Sequence, residues 1–272
     1  MLICGMLRTV DAAAIREILL MDRVWSVYAL ADLAPEYSAH ARWLIAPEGH
    51  PALLLIYRGF EPPVLFAHGD TADLAPLIGS IDGEREFYLS VRPEFISLLA
   101  GAGYRVRAEK RMRRMVLDRD HFAHAAGRPV RLGPADLDDL RQLYREGEAS
   151  GEAPAFFDPA MLRRGVYYGV REERAILAAA GTHVLAVGES VAAIGNVYTR
   201  RDRRSRGLGT QAASAVAGEL LRLGIQTIVL NVEERNVVAR DIYSRLGFRS
   251  YCAYREGIAT REGFSGPGER AR

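Results

Sequence analysis

The sequence predicts an α+β fold in two halves that repeat one order of elements. Three observations carry that reading. Strand-like runs alternate with short amphipathic helices along the whole chain. The stretches "LLAGAGYRVRAEKRMRRMVL" and "YSRLGFRSYCAYREGIA" each read as helix, glycine stop, aromatic residue and strand, once per half. Between them, "DRDHFAHAAGRPVRLGPADLDDL" (118–140) closes one strand, loops, and opens a fresh strand and helix. The halves are therefore expected at residues 1–120 and 128–272.

In the first half a helical "DAAAIREILLMD" leads to two strands in "PALLLIYRGFEPPVLFAHG" (51–69), turned by a Pro-Pro pair. The helices "TADLAPLIGSI" and "PEFISLLAGAGY" then alternate with the strands "REFYLSV" and "RVRAEKRMRRMVLD". The basic run in the last of these is expected to be a solvated strand face. In the second half Leu137, Leu140 and Tyr144 fall at helical spacing, with Asp136 near the start and Gly147 as the stop. Residues 165–199 are strand-rich, with "GES" at 188–190 as a hairpin turn. "TQAASAVAGELLRLG" (210–224) keeps Ala213, Val216, Leu220 and Leu223 on one apolar face and ends at Gly224. "IQTIVLNV" (225–232) reads as a buried strand and "NVVARDIYSRLG" (236–247) as a helix stopped by glycine. "FRSYCAYREGIA" (248–259) alternates as a last strand, and the tail "REGFSGPGERAR" is expected to fray.

Composition narrows the functional classes. The 272 residues are 49% hydrophobic and 26% charged, ordinary values for a globular chain. No apolar run reaches the roughly 18 to 20 residues that span a bilayer. The start "MLICGMLRTVDAAAIREILL" lacks the pattern of a secretion signal, so a cytoplasmic protein without a membrane segment is expected. Cys4 and Cys252 lie far apart without metal-ligand spacing, which indicates neither a disulfide framework nor a metal site. A net charge of +2 argues against a chain-wide polyanion binder. Arginines cluster at 200–206 and 111–114, but no aromatics interleave the first cluster, so nucleic acid is not the expected partner.

The stretch "RRSRGLGTQ" (203–211) sets three arginines and two glycines just ahead of a helix. A backbone that turns tightly, exposes its amides and carries cations is an anion seat. A nucleotide P-loop would need a Gly-Lys pair, which is absent. A dinucleotide fingerprint would need a third glycine, for which "GLGTQA" offers only Ala212, with Glu233 as the acidic residue. Arg204-x-x-Gly207-x-Gly209, following a strand that ends near Thr199, fits better. A helix and a buried strand follow it, then Asn236-x-x-Ala239-x-x-x-Tyr243 and "RLGF" (245–248). Together these resemble the paired signatures of the GNAT acyltransferase superfamily over residues 190–250. "IGNVYTRRDRRSRGLG" is similar to its glycine-acyltransferase-like branch.

The resemblance implies tandem GNAT-like folds, each a mixed, mostly antiparallel sheet flanked by helices. The central strands would splay in the C-terminal half, and the N-terminal half would be degenerate, without a phosphate-binding loop. It implies an acyl-CoA co-substrate, acetyl-CoA first, no metal, an amine acceptor on a small molecule or peptide, and a monomer or homodimer. The backbone of Arg204, Ser205, Arg206, Gly207, Leu208, Gly209 and Thr210 would hold the diphosphate, the glycines letting it approach. Arg200, Arg201, Arg203 and Arg206 would add charge. Free backbone groups between Asn196 and Arg201, those of Val197, Tyr198 and Thr199 among them, would pair with pantetheine and the thioester carbonyl. Asn236 would cap its helix and meet the cofactor.

Tyr243 matches the superfamily's leaving-group tyrosine. A phenol near pKa 10 gives its proton to a thiolate near 8.5 uphill by roughly 2 kcal/mol. Tyr243 is therefore expected to donate a strong hydrogen bond or to be lowered by Arg240 or Arg245. An amine near pKa 10 costs about 4 kcal/mol to deprotonate at pH 7, so a base is expected too. "VAAIGNVYT" has no glutamate, and Ala193 stands where the branch can carry one. Glu233, Glu234, Glu189 and Glu152 remain, with Glu233 favoured because it leaves the strand beside the splay. The loop "GEASGEAPAFFDP" (147–159) falls where the superfamily binds acceptors, with Glu148, Glu152 and Asp158 as acids and Phe156 and Phe157 as an apolar wall. The missing strand glutamate keeps a second reading open, a non-catalytic CoA-binding or regulatory module.

Overall fold

The computed structural model describes residues 11–47, 49–81, 83–148, 151–154, 156–173 and 175–261; Cys4 and the tail beyond Arg261 lie outside them. The chain divides into two compact units, Met1–Met112 with Ala253–Arg272, and Arg113–Cys252.

The first unit holds the helices α1 (Ala12–Leu20), α2 (Val27–Ala31) and α3 (Pro35–Ser38), then strands β1 (Ala41–Ile45), β2 (Leu53–Tyr57) and β3 (Val64–His68). It continues with α4 (Thr71–Gly79), β4 (Glu86–Val91), α5 (Phe95–Gly101) and the start of β5 (Tyr104–Leu117). Its sheet runs β1-β2-β3-β4, followed by the later part of β11 (Phe248–Arg261) and the earlier part of β5. β3 and β4 are parallel, and β1 with β2, β2 with β3 and β4 with β11 are antiparallel. Leu54, Ile56, Leu65, Phe87 and Leu89 alternate inward along these strands against Leu74, Ile78, Phe95 and Leu99 of α4 and α5. Local sequence pattern does not announce the segment α2–β1. Its helices are only four and five residues long, and neither has a side-chain cap to announce it.

The second unit contains β6 (Val130–Arg131), α6 (Leu137–Glu148), α7 (Ala160–Arg164), β7 (Tyr167–Glu172), β8 (Ala175–Ala186) and β9 (Val191–Thr199). After these come α8 (Leu208–Arg222), β10 (Thr227–Glu233), α9 (Val237–Arg245) and the start of β11. Its sheet runs from the later part of β5 through β10, β9, β8 and β7 to β6. β9 and β10 are parallel, while β6 to β9 pair antiparallel in sequence. Both faces are covered. On one, Ala192, Ile194, Ile228 and Leu230 meet Ala212, Ala213, Val216, Ala217 and Leu220 of α8. On the other, Tyr167, Ile176, Ala179 and Tyr198 meet Leu140, Leu143 and Tyr144 of α6 and Leu162 of α7. The mixed sheet flanked by helices agrees with the expected class.

Helix ends follow the glycines. α8 closes with Gly224 at φ +78, where Gly224 N donates to Leu221 O and buried Ile225 N donates to Leu220 O, a Schellman closure. Gly103 and Gly247 are also left-handed, after α5 and α9. Leu223 corrects the expected apolar face of α8: it sits in the cap and is 40% exposed. Gly147 is not a simple stop either. It is buried in the last turn of α6, and a Cβ there would lie 2.8 Å from the Tyr198 ring and 2.9 Å from the Ala153 backbone.

Candidate functional site

The parallel ladder between β9 and β10 pairs Val191 to Ile194 with Thr227 to Leu230 and stops there. β9 nevertheless continues to Thr199 and β10 to Glu233. The two strands therefore part at their C-terminal ends, as the sequence led one to expect. β9 carries a bulge at the same place. Gly195 pairs with Gly181 but Tyr198 pairs with Ala179, so an extra residue is accommodated, and Asn196 sits at φ +52.

Beyond Thr199 the chain makes a short turn and enters α8. Ser205 and Gly207 are both left-handed, at φ +62 and +72, on either side of Arg206. Gly207 is the N-cap, with no side-chain cap bond, and the first intrahelical bond runs from Gln211 N to Gly207 O at 3.0 Å. The amides of Leu208, Gly209 and Thr210 thus precede the first closed turn, at the positive end of the helix. A Cβ on Gly207 would meet nothing within 4 Å, so its glycine serves the backbone turn. A Cβ on Gly209 would lie 2.7 Å from Thr199 Oγ1. Gly209 lets the helix start close against the end of β9.

The arginines are less free than the sequence suggested. Arg204 donates to both oxygens of Glu152, at 2.7 and 3.3 Å, and its Nε lies 3.3 Å from Thr199 O. Arg201 Nε lies 3.0 Å from the same Glu152, and its backbone N–H reaches Glu146. Arg200 pairs with Asp202 and Glu146, and Arg203 with Glu172 and Asp202. Arg206 is exposed and forms no ion pair among the described residues. Glu152 is hence a partner of the seat before anything else.

The remaining expected residues are spread around the parted strands. Val197 faces the α8 side and Thr199 touches the start of α8, whereas Tyr198 is buried under α6. The Tyr198 hydroxyl is buried without a hydrogen bond among the described residues, and the Arg204 guanidinium carbon lies 5.8 Å from its ring centre. Asn236 caps α9, its Oδ1 accepting from Ala239 N at 3.1 Å. Tyr243 packs on Phe248 with ring centres 6.1 Å apart, and burial pushes its phenol up to about 12. Neither Arg240 nor Arg245 lowers it, contrary to one of the two expectations. Glu233 ends β10 with its carboxylate on Arg235, and Glu234 bonds Arg113. Glu189 lies in the hairpin turn before β9, at the opposite end of that strand from the parting. Arg114, one of the second arginine cluster, is only 1% exposed and donates to Asn231 Oδ1 at 3.1 Å.

Sequence reasoning missed the polar cluster under the bulge. His183 Nε2 lies 3.1 Å from Asn196 Oδ1, and Asn196 Nδ2 donates to the Tyr167 hydroxyl at 2.7 Å. Tyr144 donates to the Asn196 carbonyl at 2.8 Å. The isolated Gly-Asn pair inside a strand-like run was the local signal for it. A groove of about 680 Å³ lies alongside, lined by Tyr144, Arg141, Arg145 and Glu148 of α6 and by Pro154 and Phe157. Among the described residues no group of acids, histidines and cysteines is arranged to hold a metal ion, and no helix is long and apolar enough to cross a membrane.

Residues 136–248 match the family model described as the acetyltransferase (GNAT) family. No curated protein matches the chain. Among solved structures, a Drosophila protein superposes with a TM-score of 0.69 at 14% identity, over 93% of this chain and 97% of that one. A GCN5-related N-acetyltransferase from Kribbella flavida gives 0.58 at 15% identity, over 89% and 95%. A GNAT-family chain from Novosphingobium aromaticivorans gives 0.59 at 22% identity, over 86% and 96%. These likenesses establish a shared fold across most of the chain, both units included. The parted strands and the glycine turn thus lie inside the stretch, residues 136–248, that resembles the acetyltransferase (GNAT) family.

Proposed function

We propose that the second unit transfers an acyl group, acetyl first, from acyl-CoA to an amine. The observation that carries this reading is the parting of β9 and β10 directly beside the uncapped start of α8. A parted parallel pair offers unpaired backbone groups to an extended ligand, and an uncapped helix start offers amides to an anion. The amides of Leu208, Gly209 and Thr210, with Arg204 and Arg206, are assigned to the diphosphate. The backbone of Val197, Tyr198 and Thr199 is assigned to the pantetheine arm and the acyl carbonyl. The bound thioester supplies the acyl group; the amine nitrogen bonds to its carbonyl carbon as the carbon–sulfur bond breaks.

We assign Tyr243 to the departing thiolate. With its phenol held near 12, complete proton transfer to a thiolate of ordinary basicity costs roughly 5 kcal/mol, so Tyr243 acts by donating a hydrogen bond. Glu233 is assigned to the amine's proton, which it receives as Arg235 lets go. The first unit is read as a degenerate copy of the same fold. A second reading, a CoA-binding module without turnover, is favoured by the ion pairs that Glu152, Glu233 and Glu234 already make.

Calorimetric titration with acetyl-CoA tests the site. Micromolar binding is expected, and the Gly207→Trp variant should abolish it by filling the open ground over the seat. A parent protein that binds no acetyl-CoA sinks the proposal. Binding without release of CoA across a broad amine panel selects the second reading.

A further inference from the structure

Asn196 is an odd residue for the middle of a core strand. It is polar, 4% exposed, and held at a backbone angle that side-chain-bearing residues rarely adopt. A valine there would bury more easily and would leave β9 extended. The chain instead surrounds Asn196 with partners. His183, on the neighbouring β8, meets its carbonyl oxygen, and the Tyr167 hydroxyl accepts from its amide nitrogen. Tyr167 in turn lies 3.3 Å from Thr182 O, and Tyr144 bonds the Asn196 main-chain carbonyl. Burial keeps the His183 imidazole below its ordinary pKa, so the ring is neutral near pH 7 and Nε2–H can donate to Oδ1.

The glycine beside it completes the arrangement. The imidazole lies where a Gly195 side chain would be, since a Cβ on Gly195 would stand 2.3 Å from His183 Nε2. Gly195 is also the first residue of β9 past the last rung shared with β10. A ring from β8 thus occupies the strand's own side-chain space just where β9 must leave its partner. The bulge rotates the backbone that follows, so the edge of Val197 to Thr199 no longer matches β10.

We propose that Asn196, clamped between His183 and Tyr167, is the positioning residue that aims the free edge of β9 at the acyl carbonyl. The inference rests on the acyl-transfer reading above. It assigns Asn196, His183 and Tyr167 no contact with substrate; they act through the backbone they hold. The diphosphate, by contrast, is held by the seat at α8, which the clamp does not touch. Loss of the clamp should therefore loosen the acyl end of the ligand more than the nucleotide end.

Two variants separate this from plain support of the fold. Asn196→Gly keeps a residue at ease with the left-handed turn and removes the clamped side chain. Tyr167→Phe keeps the ring and removes one hydroxyl. Both are compared with the parent for binding of CoA itself by calorimetry, and for the carbonyl stretch of bound acetyl-CoA, labelled with carbon-13 at that carbonyl, by difference infrared spectroscopy. In the parent the stretch should move to lower frequency on binding. In both variants most of that movement should vanish while CoA affinity falls by less than about three-fold. Variants that melt earlier yet keep the full carbonyl movement would reduce the clamp to a structural role and overturn the proposal. A parent that binds acetyl-CoA with an unmoved stretch overturns it too. Only a parent that binds no CoA would remove the acyl-transfer reading along with it.

Discussion

Glu152 holds Arg201 and Arg204, ahead of the glycine turn, and it does so from the loop between α6 and α7. Its carboxylate is the anion the seat has at hand. Burial is slight, with side chains 36% exposed for Glu152 and 42% for Arg204, so the pair is worth only a fraction of a kcal/mol to about 1 kcal/mol. That is enough to matter in competition. A diphosphate arriving at α8 must either share Arg204 or displace Glu152 from it. Glu152→Gln should accordingly bind CoA about two- to five-fold more tightly at low salt, the gain shrinking as added salt screens the pair. Calorimetry at two ionic strengths checks both parts. Weaker binding by the variant would mean that Glu152 instead orders the loop for the ligand.

The lips of the parted strands each carry a polar side chain that is bonded from a neighbouring element. On the β9 side this is Asn196; on the β10 side it is Asn231, the first residue past the last rung, bonded by Arg114 of β5. Arg114→Met keeps the bulk and removes the donor, which should cost about 1–3 kcal/mol of unfolding free energy in urea. An unchanged midpoint would mean that this bond does not hold the lip. What the sequence revealed at this scale was whatever a few adjacent residues decide. Gly103, Gly224 and Gly247 announced helix ends, "GES" a hairpin, and Arg204-x-x-Gly207-x-Gly209 the seat, because each is a local backbone requirement. The bulge depends on register with β8, and the pairing of Arg204 depends on a residue 52 positions away, so neither could be read locally. Gly147 misled for the same reason, since its need is the approach of Tyr198 rather than a helix end.

Both units contain a parallel strand pair followed, in the same order, by helix and strand, yet only the second keeps the pair open. In the first unit the β3–β4 ladder ends at Phe66 and Ser90. The next carbonyl, that of Ala67, accepts from the Trp25 indole N–H at 2.9 Å, and the indole stacks on Phe66. Arg92 lies over the same ring and is tied to Asp22 at 2.7 Å. The space that a pantetheine arm would need is filled by the chain's own side chains. The helix that follows offers no seat either: α4 has Asp70 at its N-cap and Asp73 in its first turn, carboxylates where an anion would have to sit. On the acyl-transfer reading the chain should therefore saturate with about one CoA, the difference between the units being sharp enough to decide stoichiometry. Calorimetry with acetyl-CoA measures this directly, and the Gly207→Trp variant sharpens it, because a blocked second unit should leave no residual heat. Two equivalents per chain in the parent, or one surviving in the variant, would mean that Trp25 moves aside and that the first unit is a working site after all.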